Sequence, residues 1–338
     1  MFFTLPGRIR TLAPGPLTAG GKNLSEKENV TFEKERYRII AEHPCYSEKA
    51  RHRFGRMHLA VAPKCNIQCN FCVRDFACVN ENRPGVTMEV LTPVVALEKV
   101  KQALSDYPFI KVIGVAGPGD PLANEETFET LRLVREEFPN ITFCMSTNGL
   151  MLSEKLPELV KLGVATLTVT INAVDPEIQG QICDHINYHG KTYKGVEGAK
   201  IQIKNQLEGI EAAAKAGLVV KVNTVFVPGI NDRHMVEIAK KIRERDVYIM
   251  NIMPLIPQGA FAHIRAPTPE ETQAAQDASE PYVRQMRHCR QCRADAYGYI
   301  DQDMTQMSEE RRNILKIQTK EDMEKAREIL EKKGKEEA

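Results

Sequence analysis

The chain has 338 residues, 42% of them hydrophobic and 27% charged, which suits one large core in a single α/β domain. Lys and Arg number 46 against 45 Asp and Glu, a balance that leaves no electrostatic footprint for nucleic acid or an anionic membrane. Nine cysteines in a long chain without a secretory signal read as reduced thiols of a cytoplasmic protein rather than a disulfide framework.

In chain order, residues 1–40 read as a flexible N-terminal extension, since Pro6, Pro14, Pro16 and several glycines come with few apolar residues. Residues 41–265 carry the core. Short β-rich runs at Met57–Ala62, Lys111–Ala116, Ile141–Ser146, Thr166–Asn172, Leu218–Val227 and Val247–Met253 alternate with amphipathic patterns. The helices are expected near Val90–Leu104, Glu125–Phe138, Glu154–Leu162, Ile201–Ala216 and Asp232–Arg245, with Gly163 and Gly217 as stops. The most apolar run, Leu218–Val227, falls well short of the roughly 20 residues that span a bilayer and is broken by Lys221 and Asn223. Successive βα units predict a parallel sheet, open or closed, with ligands at the C-terminal strand ends. Residues 179–198, with Cys183, His185, Tyr188 and His189, read as a loop over the barrel mouth and Cys183 as a free thiol. Residues 266–338 form a C-terminal extension with a polar helix from Glu270, a Cys289-Arg290-Gln291-Cys292 turn and a charged helix over Thr319–Ala338.

The chemistry begins after the first strand, where Cys65, Cys69 and Cys72 form a CxxxCxxC triplet. Structural zinc sites close with four ligands, commonly two CxxC-like pairs, whereas here one triplet stands alone. Three thiolates hold three irons of a 4Fe-4S cube and leave the fourth open to an incoming molecule. One βα unit later, Gly117-Pro118-Gly119-Asp120-Pro121 gives a glycine-rich strand end that lets backbone approach a ligand closely. Together these elements resemble the radical S-adenosylmethionine (SAM) superfamily. That resemblance implies an α/β fold, a partial TIM barrel of (β/α)6 type, with Cys65, Cys69 and Cys72 as cluster ligands. It assigns Gly117, Gly119 and Asp120 to SAM, and Phe71 to the position beside the adenine. Asn148 and Asn172 close the third and fourth strands, where polar side chains suit SAM binding.

Six soft donors remain: His43, Cys45, Cys78, Cys144, Cys289 and Cys292. Each has a bland explanation alone, such as a small core residue for Cys144 or a solvated imidazole for His43. The stretch from Met57 to Cys72, its continuation Cys78-Val79-Asn80-Glu81-Asn82-Arg83-Pro84-Gly85-Val86, the tail Cys289–Ala296 and His43-Pro44-Cys45 are similar to the nitrogenase cofactor maturases of the NifB family. The resemblance covers roughly residues 40–300. It implies an enzyme that fuses two 4Fe-4S substrate clusters, with a SAM-derived carbide and an extra sulfur, into the 8Fe-9S-C precursor of the iron–molybdenum cofactor. One SAM would donate a methyl group and a second the radical that abstracts its hydrogen. The six donors would hold the two substrate clusters, with Cys289 and Cys292 sharing one. His43 would be the most labile ligand, because imidazole binds iron less strongly than thiolate. Glu81 is placed near a substrate cluster as transient ligand or proton acceptor, with Arg83 beside it; a salt-bridged loop explains the pair equally well. Implied partners are SAM, iron–sulfur cluster delivery proteins, the scaffold NifEN or carrier NifX, and a reductant such as a ferredoxin. The chain ends without a NifX-like domain, which implies a standalone core. Two alternatives are a radical SAM enzyme that acts on a peptide or small molecule with auxiliary clusters, and a non-enzymatic iron–sulfur carrier.

Overall fold

The computed structural model describes residues 26–302 and 304, apart from 76, 79, 80 and 82, with side chains from residue 33 onward. A first helix, α1 (Glu26–Glu42), occupies ground that the sequence assigns to a flexible extension; residues 1–25 and the charged stretch 319–338 lie outside the described residues. Residues 43–54 turn beneath the sheet. Tyr46 is 1% exposed and its hydroxyl donates to the carbonyls of Leu167 at 3.0 Å and Val219 at 3.2 Å. A buried tyrosine hydroxyl needs such acceptors, and these pin the segment against the backbone of two strands.

The sheet opens with β1 (Gly55–His58). Leu59–Ala62 stays buried but leaves the regular ladder, so the strand is shorter than its apolar run suggests. There follow β2 (Ile67–Cys69), α2 (Pro93–Asp106), β3 (Ile110–Val115), α3 (Glu125–Glu137), β4 (Thr142–Thr147), α4 (Leu152–Lys161) and β5 (Val164–Thr170). Thr92 caps α2 through the Val95 amide, with Pro93 at the first helical position. Next come α5 (Pro176–Ile182), β6 (Cys183–Tyr188), β7 (Lys191–Lys194), α6 (Gly195–Lys215), β8 (Val219–Phe226), α7 (Met235–Arg243), β9 (Ile249–Pro254), α8 (Pro269–Ser279) and β10 (Tyr297–Gly298). The region expected to be a loop over residues 179–198 is thus a hairpin, β6–β7, joined to β2 in a three-stranded antiparallel sheet. Along β6 the buried residues are Cys183 and Ile186, three apart among polar neighbours, so the period-two signal of a strand is missing there.

The main sheet runs β10-β1-β3-β4-β5-β8-β9, all parallel except β10, and curls into a half-barrel. Alternation along the strands divides its faces. Phe143, Met145, Leu167, Val169, Val220, Val222, Met250 and Ile252 join the hydrophobic core, where burial of each such side chain contributes about 1.5–3 kcal/mol. Their neighbours Cys144, Ser146, Thr168, Thr170, Lys221, Asn223, Asn251 and Met253 face the concave side. The tail then spans the open side of the curl. Met286 N–H donates to Met250 of β9, and β10 pairs with β1, so residues 286–298 run from one sheet edge to the other. His288 Nε2 lies 2.9 Å from the Pro44 carbonyl and ties this strap to the segment beneath the sheet. Among the described residues no helix is long and apolar enough to cross a membrane.

Candidate active site and cluster ligands

The concave face encloses a cavity of about 300 Å³. At its upper end, beyond the C-terminal strand ends, Cys65, Cys69 and Cys72 all line the wall. The Cys72 amide donates to the Cys69 carbonyl at 3.0 Å, and the Gln68 side chain donates to the carbonyls of both cysteines. The glycine-rich strand end braces the base of this loop. Gly119 N–H donates to Ala62 and Asp120 N–H to Lys64, while the Asn124 side chain bonds both the amide and the carbonyl of Lys64. A Cβ on Gly119 would lie 2.2 Å from the Lys64 carbonyl oxygen. The glycine is therefore required by the triplet loop itself, a closer demand than ligand approach.

Asp120 is buried and links two strand ends, accepting from the Thr147 hydroxyl and from the amides of Leu122 and Asn148. Burial pushes its carboxyl up to about 6 against the opposing pull of these donors. Asn148 donates to Asn66 at 2.6 Å and lies 3.8 Å from Cys65 Sγ, and Asn172 accepts from the Val225 amide. Both asparagines line the cavity, with these side-chain atoms already engaged by protein. Phe71 lines the same wall, its ring 6.5 Å from that of Phe261.

Burial raises the Cys65 thiol to about 12 and raises that of Cys72. Cys69 is held well above the ordinary thiol value, first by a hydrogen bond with Cys183 across the β2–β6 ladder and then by burial. Thiols so placed become thiolates only when a cation replaces the proton. Among the described residues no three His, Cys, Asp or Glu side chains gather around a single-ion point; a four-iron cube asks instead for one thiolate on each of three irons. The local triplet, its buried thiols and the unpartnered buried Asn66 Nδ2 beside it fit such a cluster.

Toward the lower end, His43, Cys45, Cys144, Cys289 and Cys292 line the same cavity. They arrive from three separate places: the segment under the sheet, β4 and the strap. His43 is 1% exposed. Burial, with Lys221 and His58 nearby, holds its imidazole neutral well below the ordinary range. The Cys45 amide donates to His43 Nδ1 at 3.1 Å, which puts the neutral ring's proton on Nε2. Nε2 has no partner among the described residues. Iron ligation through Nε2 therefore requires that proton to move. Burial pushes Cys45 up to about 12 and raises Cys144. Arg56 Nη2 donates to Cys292 Sγ at 3.1 Å, and the Gln291 amide donates to Cys289 Sγ at 3.4 Å.

Cys78 is the sixth predicted donor, and it does not line the cavity. Its amide donates to Thr87 and its carbonyl accepts from Arg293 at 2.7 Å. Arg83 lies on the wall and pairs with Glu81, with Asp75 and with the Val73 carbonyl, while the Glu81 side chain is 52% exposed off the wall. Among residues the motifs did not flag are Arg56, Lys221, Asn223 and Asn251. Polar residues two apart within the apolar run of β8, Lys221 and Asn223, were the available signal, since same-face positions alternate.

Residues 59–242 match the Radical SAM superfamily. The chain is 48% identical over 264 residues to FeMo cofactor biosynthesis protein NifB of Methanocaldococcus infernus, covering 78% of this chain and 87% of that protein. The NifB family is this chain's family. The corresponding protein of Methanocaldococcus jannaschii is 49% identical over the same 78% of this chain and 87% of its own length. That of Azotobacter vinelandii is 46% identical, and there the match spans 54% of the relative. As a NifB-family member the chain is a radical SAM protein, and the family brings a 4Fe-4S cluster and SAM with it.

Proposed function

We propose that this chain serves iron–molybdenum cofactor biosynthesis by fusing two 4Fe-4S substrate clusters, with a SAM-derived carbide and an added sulfur, into an 8Fe-9S-C precursor. The observation that carries this reading is the gathering of His43, Cys45, Cys144, Cys289 and Cys292 on the cavity that the triplet also lines. A radical SAM enzyme with auxiliary clusters for electron transfer would hold them by full thiolate sets, whereas this set mixes an imidazole with thiolates.

When bound at Cys65, Cys69 and Cys72, the resident cluster supplies the electron and the open iron for reductive cleavage of SAM. The chain's own residues do the rest. Gly119, Asp120 and Asn124 fix the triplet loop to the strand ends. Phe71, Asn148 and Asn172 line the wall where SAM would lie. The strap and the segment beneath the sheet cover the cavity and limit water. In this reading His43, Cys45, Cys144, Cys289 and Cys292 hold substrate iron, with Cys78 joining after movement of its loop. Arg83 is held by two carboxylates at the rim, beside the route to the substrate. A neutral imidazole among thiolates gives a set that can let its cargo go, which a product made of iron and sulfur requires. Partners follow from the reaction: cluster delivery proteins and a reductant such as ferredoxin upstream, and a scaffold or carrier such as NifEN or NifX downstream.

The test is product extraction. Anaerobic, reconstituted protein is treated with SAM and dithionite, and its clusters are extracted and offered to cofactor-free nitrogenase with molybdenum, homocitrate and the remaining assembly proteins. Restored activity is expected, together with 5′-deoxyadenosine and S-adenosylhomocysteine. An extract without activity, alongside active SAM cleavage, would sink the assignment.

A further inference from the structure

The lower half of the cavity holds a lysine, Lys221, with no carboxylate beside it among the described lining residues. Lys221 stands on the inward face of β8, flanked by β5 and β9, and is 7% exposed. Among the described residues its ammonium has no hydrogen bond or ion pair; its close neighbour is the Tyr46 ring, with Nζ 5.5 Å from the centroid. That ring is itself fixed by the Leu167 and Val219 carbonyls. Lys221 lines the same cavity as His43, Cys45 and Cys144. Among the described residues lining the cavity, the one carboxylate is Asp120, which is engaged at the upper end by Thr147 and Asn148.

An ammonium withdrawn from the protein surface and facing a chamber with no carboxylate beside it suits an anionic occupant. Surface lysines escape this by reaching water, but Lys221 points into the chamber. We infer that Lys221 is the electrostatic anchor for the iron–sulfur cargo, a net-negative cluster once thiolates ligate it. Lys221 touches no predicted bond-forming atom, so it is a positioning residue. It acts by stabilising thiolate ligation at Cys45 and Cys144 and by favouring the more reduced, more negative state of the cargo. This inference rests on the reading of the lower donors as substrate-cluster ligands.

The experiment compares wild-type full chain with Lys221→Met and Lys221→Arg after anaerobic reconstitution. Iron per chain, spin-resonance redox titration and thermal melting of the metal-free protein are measured. Lys221→Met is expected to keep the triplet cluster but retain the remaining iron on the order of tenfold more weakly. Any remaining lower cluster should have a more negative midpoint potential, and Lys221→Arg should restore both values toward wild type. Metal-free Lys221→Met should melt at or above the wild-type temperature, because the variant removes an unanswered buried charge. Unchanged iron retention and potential in Lys221→Met overturn the inference. So does a lower melting temperature with loss of all clusters, which marks a structural residue. A wild-type chain that loads only triplet iron overturns the substrate-cluster reading itself, and a chain that loads the extra clusters regardless of residue 221 overturns only the inference.

Discussion

The two ends of the cavity are built in opposite ways. At the upper end, three thiols come from eight consecutive residues, and the protein spends its long-range contacts bracing that one loop through Gly119, Asp120 and Asn124. At the lower end, the donors come from residues as far apart as His43 and Cys292, and the long-range contacts create the site itself. A local motif carries its own geometry and needs only to be held. A dispersed set exists only as long as the fold brings its members together.

The largest expected effect tests whether these are separate sites. Cys72→Ala should lose the triplet cluster and reduce 5′-deoxyadenosine formation to background, while iron at the lower donors remains. Cys292→Ala should show the converse, with triplet iron and SAM cleavage kept. Anaerobic iron analysis with spin resonance reads both, and the same loss in both variants would make the cavity one indivisible centre.

A second test breaks only the dispersed end. Arg293 is 2% exposed, pairs with Asp295 and donates to the carbonyls of Cys78 and Glu81. Arg293→Ala takes the donor from two carbonyls, while the Asp295 carboxylate keeps the Met88 amide and the Thr87 hydroxyl, and should cost about 3–5 kcal/mol. Chemical denaturation of the metal-free protein measures it; a loss below ~1 kcal/mol would show that the strap is held elsewhere. The complementary change at the other end is smaller. Gly119→Ala forces a methyl against the Lys64 backbone and should cost about 2–3 kcal/mol, with reduced triplet iron. Normal loading in that variant would mean that the loop can shift without consequence.

The smallest expected effect concerns pH. The Asp120 carboxyl is raised from its ordinary value near 3.8 to about 6 by burial. Its contribution to stability is therefore full below the unfolded value and is lost as pH rises through the folded one. Relative to Asp120→Asn, the metal-free wild-type protein should lose about 2 kcal/mol between pH 4 and 6.5. Parallel melting profiles for the two proteins across that window would contradict the shift.

Much of the upper end was legible because its information is local. Cys65, Cys69 and Cys72 announce themselves by spacing, and the six parallel strands by their apolar runs, with boundary errors of a few residues. Family resemblance, rather than spacing, pointed to the lower donors, because no sequence window contains His43, Cys144 and Cys292 together. What stayed hidden were partners rather than residues. Gly119 was read as a place for a ligand to approach, whereas its neighbour is the Lys64 carbonyl. The hairpin β6–β7 was read as a loop because its exposed strands are polar and its pairing partner, β2, is three residues long. Lys221 was noted only as an interruption in an apolar run, since a sequence does not say which face of a strand looks into a chamber.

The strap has a consequence for how the molecule is made. Its contacts join Pro44 to His288 and Arg56 to Gly298, separations of 244 and 242 residues. On the ribosome the triplet loop and all six parallel strands emerge before the strap does, and loop closure over such distances is slow. The nascent chain thus has a triplet loop with its supporting strand ends while the lower chamber is still open on one side. Completion of the lower donor set coincides with arrival of the last described strand.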